Sequence, residues 1–111
     1  MKYEMKLQDG PYKLIENGTK TIEMRLYDEK RQLLKEKDLI EFTNVKTQEK
    51  MLTEIEKLYR YSSFDELYKH FDKISIGYKK DEIANPKDME QYYPRDEQEK
   101  YGVLAIKLKR K

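Results

Sequence analysis

Gly18-Thr19-Lys20-Thr21-Ile22-Glu23-Met24-Arg25-Leu26-Tyr27 alternates apolar and polar residues from Lys20 onward. Successive side chains of an extended chain point to opposite faces. Ile22, Met24 and Leu26 therefore share one face of a predicted strand, and Thr21, Glu23, Arg25 and Tyr27 the other. The pattern describes a strand with a core side and a functionalised side. Upstream, Asn17-Gly18 is a helix C-terminal signal, and Pro11 suits the first position of a short helix whose apolar side is Tyr12, Leu14 and Ile15. Before that, Tyr3, Met5 and Leu7 alternate with Lys2, Glu4 and Lys6 as a first strand, stopped by Gly10-Pro11.

Downstream of Tyr27, Asp28 to Lys37 is polar around Leu33-Leu34 and reads as a loop or a single helical turn. Asp38 to Thr43 follows as a strand with Ile40 and Phe42 inward and Leu39 out of phase, and Met51, Thr53 and Ile55 begin a long strand toward Tyr59 or Tyr61. Ser63-Phe64-Asp65-Glu66 is a capping box, and Phe64, Leu67, Tyr68 and Phe71 fall at helical spacing. Ile74 and Ile76 before Gly77 suggest a buried connection. Asn85-Pro86 opens another helix carrying Met89 and Tyr92-Tyr93, ended by Pro94; a short turn from Arg95 to Lys100 leads into a final strand, Tyr101 to Leu108. Five strands and three helices predict an α+β domain whose mixed or antiparallel sheet curls into a barrel.

At 111 residues the chain has the length of one domain. Charged residues make up 41% of it, but 24 basic side chains nearly balance 22 acidic ones. Four of the basic residues lie in Lys107 to Lys111, so the first 106 residues carry a net charge of −2. A chain that coats nucleic acid by bulk charge is expected to be strongly basic, so any nucleic-acid role here rests on a local site. The basic tail reads as a solvated strand end of the kind that blunts a sheet edge. The absence of cysteine excludes disulfide scaffolds, thiolate nucleophiles and Cys-ligated metal, and a single histidine, His70, excludes multi-histidine metal sites. His70 lies off the apolar stripe of its helix and is expected to face solvent. No phosphate-cradling glycine loop or metal-ligand cluster is present, so neither cofactor nor metal is expected. No apolar run suits a membrane span and Met1-Lys2-Tyr3-Glu4 opens on charges, which points to the cytoplasm.

Side chains two apart on a strand face stand about 7 Å apart, so Glu23 can orient Arg25 while both face the same space, with Lys20 reaching over from the strand's edge. A guanidinium fork held by a carboxylate suits phosphate, carboxylate or base-edge recognition, and a surface ion pair on an exposed strand is the alternative. Tyr27, on the Arg25 face by parity, and Tyr93 are the tyrosines most suited to stack a base. Asp81-Glu82 either lends the site a carboxylate or forms a solvated pair.

The Gly18 to Arg25 segment resembles the Gly-x-Lys-x-x-Glu-x-Arg signature of ASCH domains, compact members of the PUA-like superfamily, in their small single-domain form. Lys37 to Phe42 is similar to the strand after that signature, and Tyr101 to Ile106 to the family's closing strand. The resemblance implies one PUA-like domain over residues 1–111: a curled mixed β-barrel of about five strands with two to four short flanking helices. It further implies a role in RNA-linked processes, through a cleft beside the signature where Lys20, Glu23 and Arg25 lie. Some small bacterial relatives are amidohydrolases acting on acetylated cytidine with a lysine, a threonine nucleophile and a glutamate, and others are linked to ribonuclease activity. Lys20 matches that lysine and Arg25 the arginine after it, but Glu23 occupies the nucleophile position and Thr21 is displaced by two residues.

Three readings follow. The first is a binding module recognising RNA or a nucleotide-like small molecule through Lys20, Thr21, Glu23, Arg25, Tyr27 and Tyr93. The second is a hydrolase in which Lys20 and Glu23 are catalytic, Glu23 serving as general base for water. The third is an interaction domain in which the Glu23–Arg25 pair is structural.

Overall fold

The run Val103 to Ile106 is apolar without alternation because its strand is covered on both faces. The computed structural model describes all 111 residues. Its strands are β1 (Lys2–Leu7), β2 (Ile22–Leu26), β3 (Leu39–Asn44), β4 (Lys50–Tyr61) and β5 (Val103–Arg110), and they form one mixed sheet in the order β1-β3-β4-β5-β2. Only β1 and β3 run parallel. Leu104, Ile106 and Leu108 of β5 join Leu7, Tyr12, Ile15, Ile40, Phe42, Met51 and Ile55 in one core layer. Val103 and Ala105 face the other way, against Ile22, Met24, Leu26, Phe64, Leu67, Ile76 and Met89. Of the expected inward residues of the first three strands, Leu7, Ile22, Met24, Leu26, Ile40 and Phe42 are buried and Tyr3 and Met5 half-buried, divided between the two layers.

β4 is long enough to serve two neighbours: its first residues pair with β3, and the stretch from Thr53 to Tyr61 pairs with β5. The register shifts between Ile55 and Lys57, an irregularity of the kind that lets a strand bend and a sheet curl. The curl does not end in a hydrogen-bonded closure, since β1 and β2 remain the two edges of the sheet. A side chain joins them instead: Arg25 of β2 donates from NH2 to the backbone carbonyl of Lys6 in β1, at 3.0 Å.

α1 (Asp9–Glu16) links the two edge strands, burying Tyr12 and Ile15. Its start is tied to the β3–β4 turn by buried Asn44, which donates to Asp9 at 2.9 Å and accepts from the amides of Lys46 and Thr47. The helix expected from Phe64 to Phe71 is a single turn, α2 (Phe64–Leu67), capped by Ser63. After Leu67 the amides of Lys69 and His70 bond three residues back, so the chain tightens and leaves the helix. This turn still packs Tyr68 and Phe71 on the second core layer, Phe71 meeting Tyr59 edge-on at 5.4 Å. The Asn85-Pro86 helix is a 3-10 turn over Pro86–Gln91, capped by the Asn85 side chain. α3 (Arg95–Tyr101) replaces the short turn expected there. Buried Gln98 fastens it, donating to the Tyr93 carbonyl and accepting from the Phe64 amide. The basic tail ends β5: Lys109 and Arg110 run past the end of β2 and pair with β4 alone, exposed to solvent as a strand end. Lys107 pairs with Glu56 and Lys111 with Glu54, and Arg110 donates to the Glu16 carbonyl. No helix is long and apolar enough to cross a membrane.

Candidate functional site

Lys20 sits in the turn between α1 and β2, held by its amide on the Leu14 carbonyl. The next two amides, Thr21 and Ile22, both donate to the Ser75 carbonyl, which anchors the Asp72-to-Gly77 connection over the entrance to β2. Lys20 Nζ stands 2.9 Å from Glu23 Oε1. Arg25 approaches Glu23 Oε2 with both Nε, at 2.8 Å, and NH2, at 2.7 Å. The carboxylate is therefore shared between two cations. Glu23 retains only 4% of its exposure and Lys20 7%, which corrects the picture of a surface ion pair.

Burial by itself pushes the Glu23 carboxyl up, but the ammonium of Lys20 and the guanidinium of Arg25 outweigh it and hold the group at about 2. The same pairing keeps Arg25 above its ordinary value against the opposing effect of burial. The triad is a fixed unit of two positive charges around one negative. It is not saturated: the Lys20 ammonium spends one of its three protons on Glu23, and Arg25, which also meets the Tyr93 hydroxyl, commits Nε and NH2 to Glu23 and the Lys6 carbonyl.

The donors left over open into a cleft of about 510 Å3, bounded by β1, the start of α1, β2 and the segment from Ile76 to Tyr93. Tyr68, Tyr78, Tyr92 and Tyr93 contribute to its walls. Tyr93 is stacked on Phe64 at 5.9 Å and stands against Arg25; burial pushes its phenol up, further from ionisation than an ordinary tyrosine. Tyr92 is exposed. Tyr78 meets the Tyr68 hydroxyl at 2.9 Å and donates to Asp88 Oδ2 at 2.7 Å, leaving Asp88 Oδ1 without a protein donor. Lys6, Lys20 and Arg25 are balanced in the lining by Glu23, Glu82 and Asp88. The site is thus suited to a ligand bearing a localised anion and not to a polyanion held by bulk charge.

Lys20, Glu23, Arg25 and Tyr93 line the cleft together, whereas Thr21 and Tyr27 do not. Thr21 is held by its backbone, its amide on Ser75 and its carbonyl receiving the Leu108 amide. Tyr27 does lie on the core-layer face that Glu23 and Arg25 share, but it packs beyond the end of β2 beneath Arg60. Glu82 reaches the cleft with Oε1 occupied by the Lys79 amide, and Asp81 is exposed. His70 is exposed and stacked on Tyr61 at 4.9 Å. No group of three or more His, Asp or Glu side chains is placed to hold a metal ion.

Two contributors were invisible in the sequence. The Lys6 carbonyl is a backbone group, which no residue type announces. Gly77 has φ +112°, and a Cβ there would stand 3.2 Å from Lys20 Cδ, so its bare backbone lets the Lys20 stem lie flat. Gly77→Ala is expected to lower stability by about 1–3 kcal/mol in urea unfolding, because a side chain is strained at that φ and also pushes on Lys20.

A family model described as the ASCH domain matches residues 5–111. The chain belongs to the ASCH family. Solved structures agree with that membership along its whole length. The hypothetical protein PH0355, known from a crystal structure, is 32% identical over 100% of both chains, with a TM-score of 0.85. Protein PF0455 from Pyrococcus furiosus, solved by NMR, is 30% identical over 99% of this chain and 97% of its own, with a TM-score of 0.71. A comparison with curated proteins finds no match. The curled, mixed five-stranded sheet with short flanking helices is consistent with the PUA-like architecture of an ASCH domain, and the signature residues Lys20, Glu23 and Arg25 form the buried triad described above.

Proposed function

We propose that this ASCH protein binds RNA or a nucleotide in the cleft above the Lys20–Glu23–Arg25 triad, with Arg25 NH1 and Lys20 Nζ engaging a phosphate. The observation that carries this reading is the pair of cations fixed on a buried carboxylate, with donors left over that face a cleft walled by tyrosines. A preorganised guanidinium loses little freedom on binding, and charge-assisted contacts are about twice as strong as neutral ones. A volume near 510 Å3 falls within the range of clefts that enclose a small ligand. Tyr92 offers an exposed ring for a base, and Asp88 Oδ1 is free to accept from an exocyclic amino group. In the cell such a ligand would be met in the cytoplasm.

The triad is poorly suited to hydrolysis. A general base works best with a pKa near the working pH, and Glu23 is held at about 2. Thr21, the nearest hydroxyl by sequence, does not line the cleft.

Calorimetric titration with the four ribonucleoside 5′-monophosphates and with the corresponding nucleosides tests this reading. At least one nucleotide is expected to bind about tenfold or more tightly than its nucleoside, weakening as salt rises. Equal affinity for nucleotide and nucleoside, or no binding of either, would overturn it.

A further inference from the structure

Arg60 is the one arginine of five whose guanidinium has neither an ion pair nor a hydrogen bond within the protein: Arg25, Arg31 and Arg95 are paired with carboxylates and Arg110 with a carbonyl. It is nevertheless placed. Its guanidinium lies over the ring of Tyr27, 4.2 Å from the centroid, and the side chain is exposed. Tyr27 and Arg60 line a second depression, of about 470 Å3, with Tyr61, Lys100 and Tyr101. There Lys100 Nζ stands 4.9 Å over the Tyr101 ring. Cation–aromatic contacts occur about once per 70–80 residues, so two in this chain is an ordinary number. What is informative is that both fall in one depression, and that neither cation there has a salt-bridge partner.

This depression lies on the same face of the sheet as Arg25: Arg25 in β2 and Arg60 in β4 are both in register with Leu104 of the intervening β5. Glu23 and Arg25 stand at alternate positions of β2 and Tyr27 continues the alternation just past its end, each step being about 7 Å. A phosphate held at Arg25 therefore lies one strand step from a second cationic and aromatic surface. That step is of the order of the rise between successive nucleotides in an unstacked single strand. Single-strand binding surfaces combine positive charge that tracks the backbone with planar groups on which successive bases stack.

We propose that the Tyr27–Arg60–Lys100–Tyr101 depression is a second nucleotide subsite, and that the ligand of this protein is a single-stranded oligoribonucleotide. The inference rests on the proposed function of the main cleft and deepens it. Tyr27 backs Arg60 so that the outer plane of its guanidinium is presented to a base, and Lys100 faces the adjoining phosphate. Glu99 in the same lining limits the charge, so the contribution is a stacking one that salt does not remove entirely.

The test compares octauridylate with uridine 5′-monophosphate on wild type, Arg60→Ala and Arg60→Lys, by fluorescence anisotropy and competition. Wild type is expected to bind the octamer about tenfold or more tightly than the monophosphate. Arg60→Ala is expected to cost the octamer about tenfold, the scale of one lost stacking contact, and to leave the monophosphate unchanged. Arg60→Lys, which keeps the charge but not the plane, should recover only part. If the monophosphate binds and the octamer gains nothing, or Arg60→Ala leaves the octamer unchanged, the second subsite is overturned while the main-cleft reading stands. If neither ligand binds, the second subsite falls, and the titration with the four nucleotides decides the main cleft separately.

Discussion

Glu23→Gln is expected to destabilise the fold by about 3 kcal/mol at neutral pH, because it leaves the Lys20 ammonium and the Arg25 guanidinium facing each other with no anion between them. Breaking a buried pair by removing one partner costs about 3–5 kcal/mol, and glutamine belongs at the low end since its carbonyl still accepts a hydrogen bond. Against a total stability of about 5–15 kcal/mol, that is a large share. The loss also carries a pH signature. The Glu23 carboxyl is held at about 2 in the folded protein against an ordinary value of 4.5, so its ionised form is the one the fold favours. Its contribution is complete above about 4.5 and disappears as pH falls through that value toward about 2. The gap between wild type and Glu23→Gln, measured by urea unfolding, should be widest near neutrality and close on acidification. A gap independent of pH would mean that packing, and not charge, makes Glu23 stabilising.

Arg25→Ala should abolish most ligand binding, with a loss of about tenfold to a hundredfold, while the fold suffers less than in Glu23→Gln. Lys20 remains to neutralise Glu23 at 2.9 Å, so no buried charge is orphaned. What disappears is the guanidinium that reaches from β2 to the Lys6 carbonyl of β1 and offers NH1 to the cleft. Charge-assisted hydrogen bonds of this kind contribute about 1.5–3 kcal/mol. Arg25→Lys should not restore affinity, because an ammonium cannot serve Glu23, the Lys6 carbonyl and a phosphate at once from a planar fork. Calorimetric titration on the folded variants would read this out. Binding restored by lysine would show that charge alone suffices and that the fork geometry is immaterial.

The difference between these variants reflects how much of the site is local. Alternation around Ile22, Met24 and Leu26 was enough to place Glu23 and Arg25 on one face and to separate them from the core side, because parity along a strand depends on nothing distant. Ile40 and Phe42 were legible for the same reason, and both are fully buried. What was not legible depends on the path of the sheet. Parity assigned Tyr27 to the Arg25 face correctly, yet the two serve different depressions, since Tyr27 lies past the end of β2 and packs beneath Arg60, more than thirty residues away in sequence. The place of β5 was not legible either, because strand order is fixed by long-range pairing that composition does not record: β5 lies between β4 and β2, and only its basic tail runs past the end of β2. The Phe64 to Phe71 stripe marked the right buried residues but overstated the helix, as a tightened turn satisfies the same spacing. Burial of the triad was likewise hidden. It follows from Gly77 and the Ser75 carbonyl closing over the entrance to β2, contacts made across about fifty residues of chain.

The central claim is that ligand enters the cleft above the triad. Amide and arginine side-chain NMR spectra, recorded while a short single-stranded RNA is titrated in at near-physiological salt, test it most directly. Shifts concentrated from Lys20 to Arg25 and around Tyr92-Tyr93, with the Arg25 Nε–H resonance moving in step, are the result expected. An unperturbed cleft, or shifts confined to Lys107 to Lys111 that vanish as salt is raised, would contradict it.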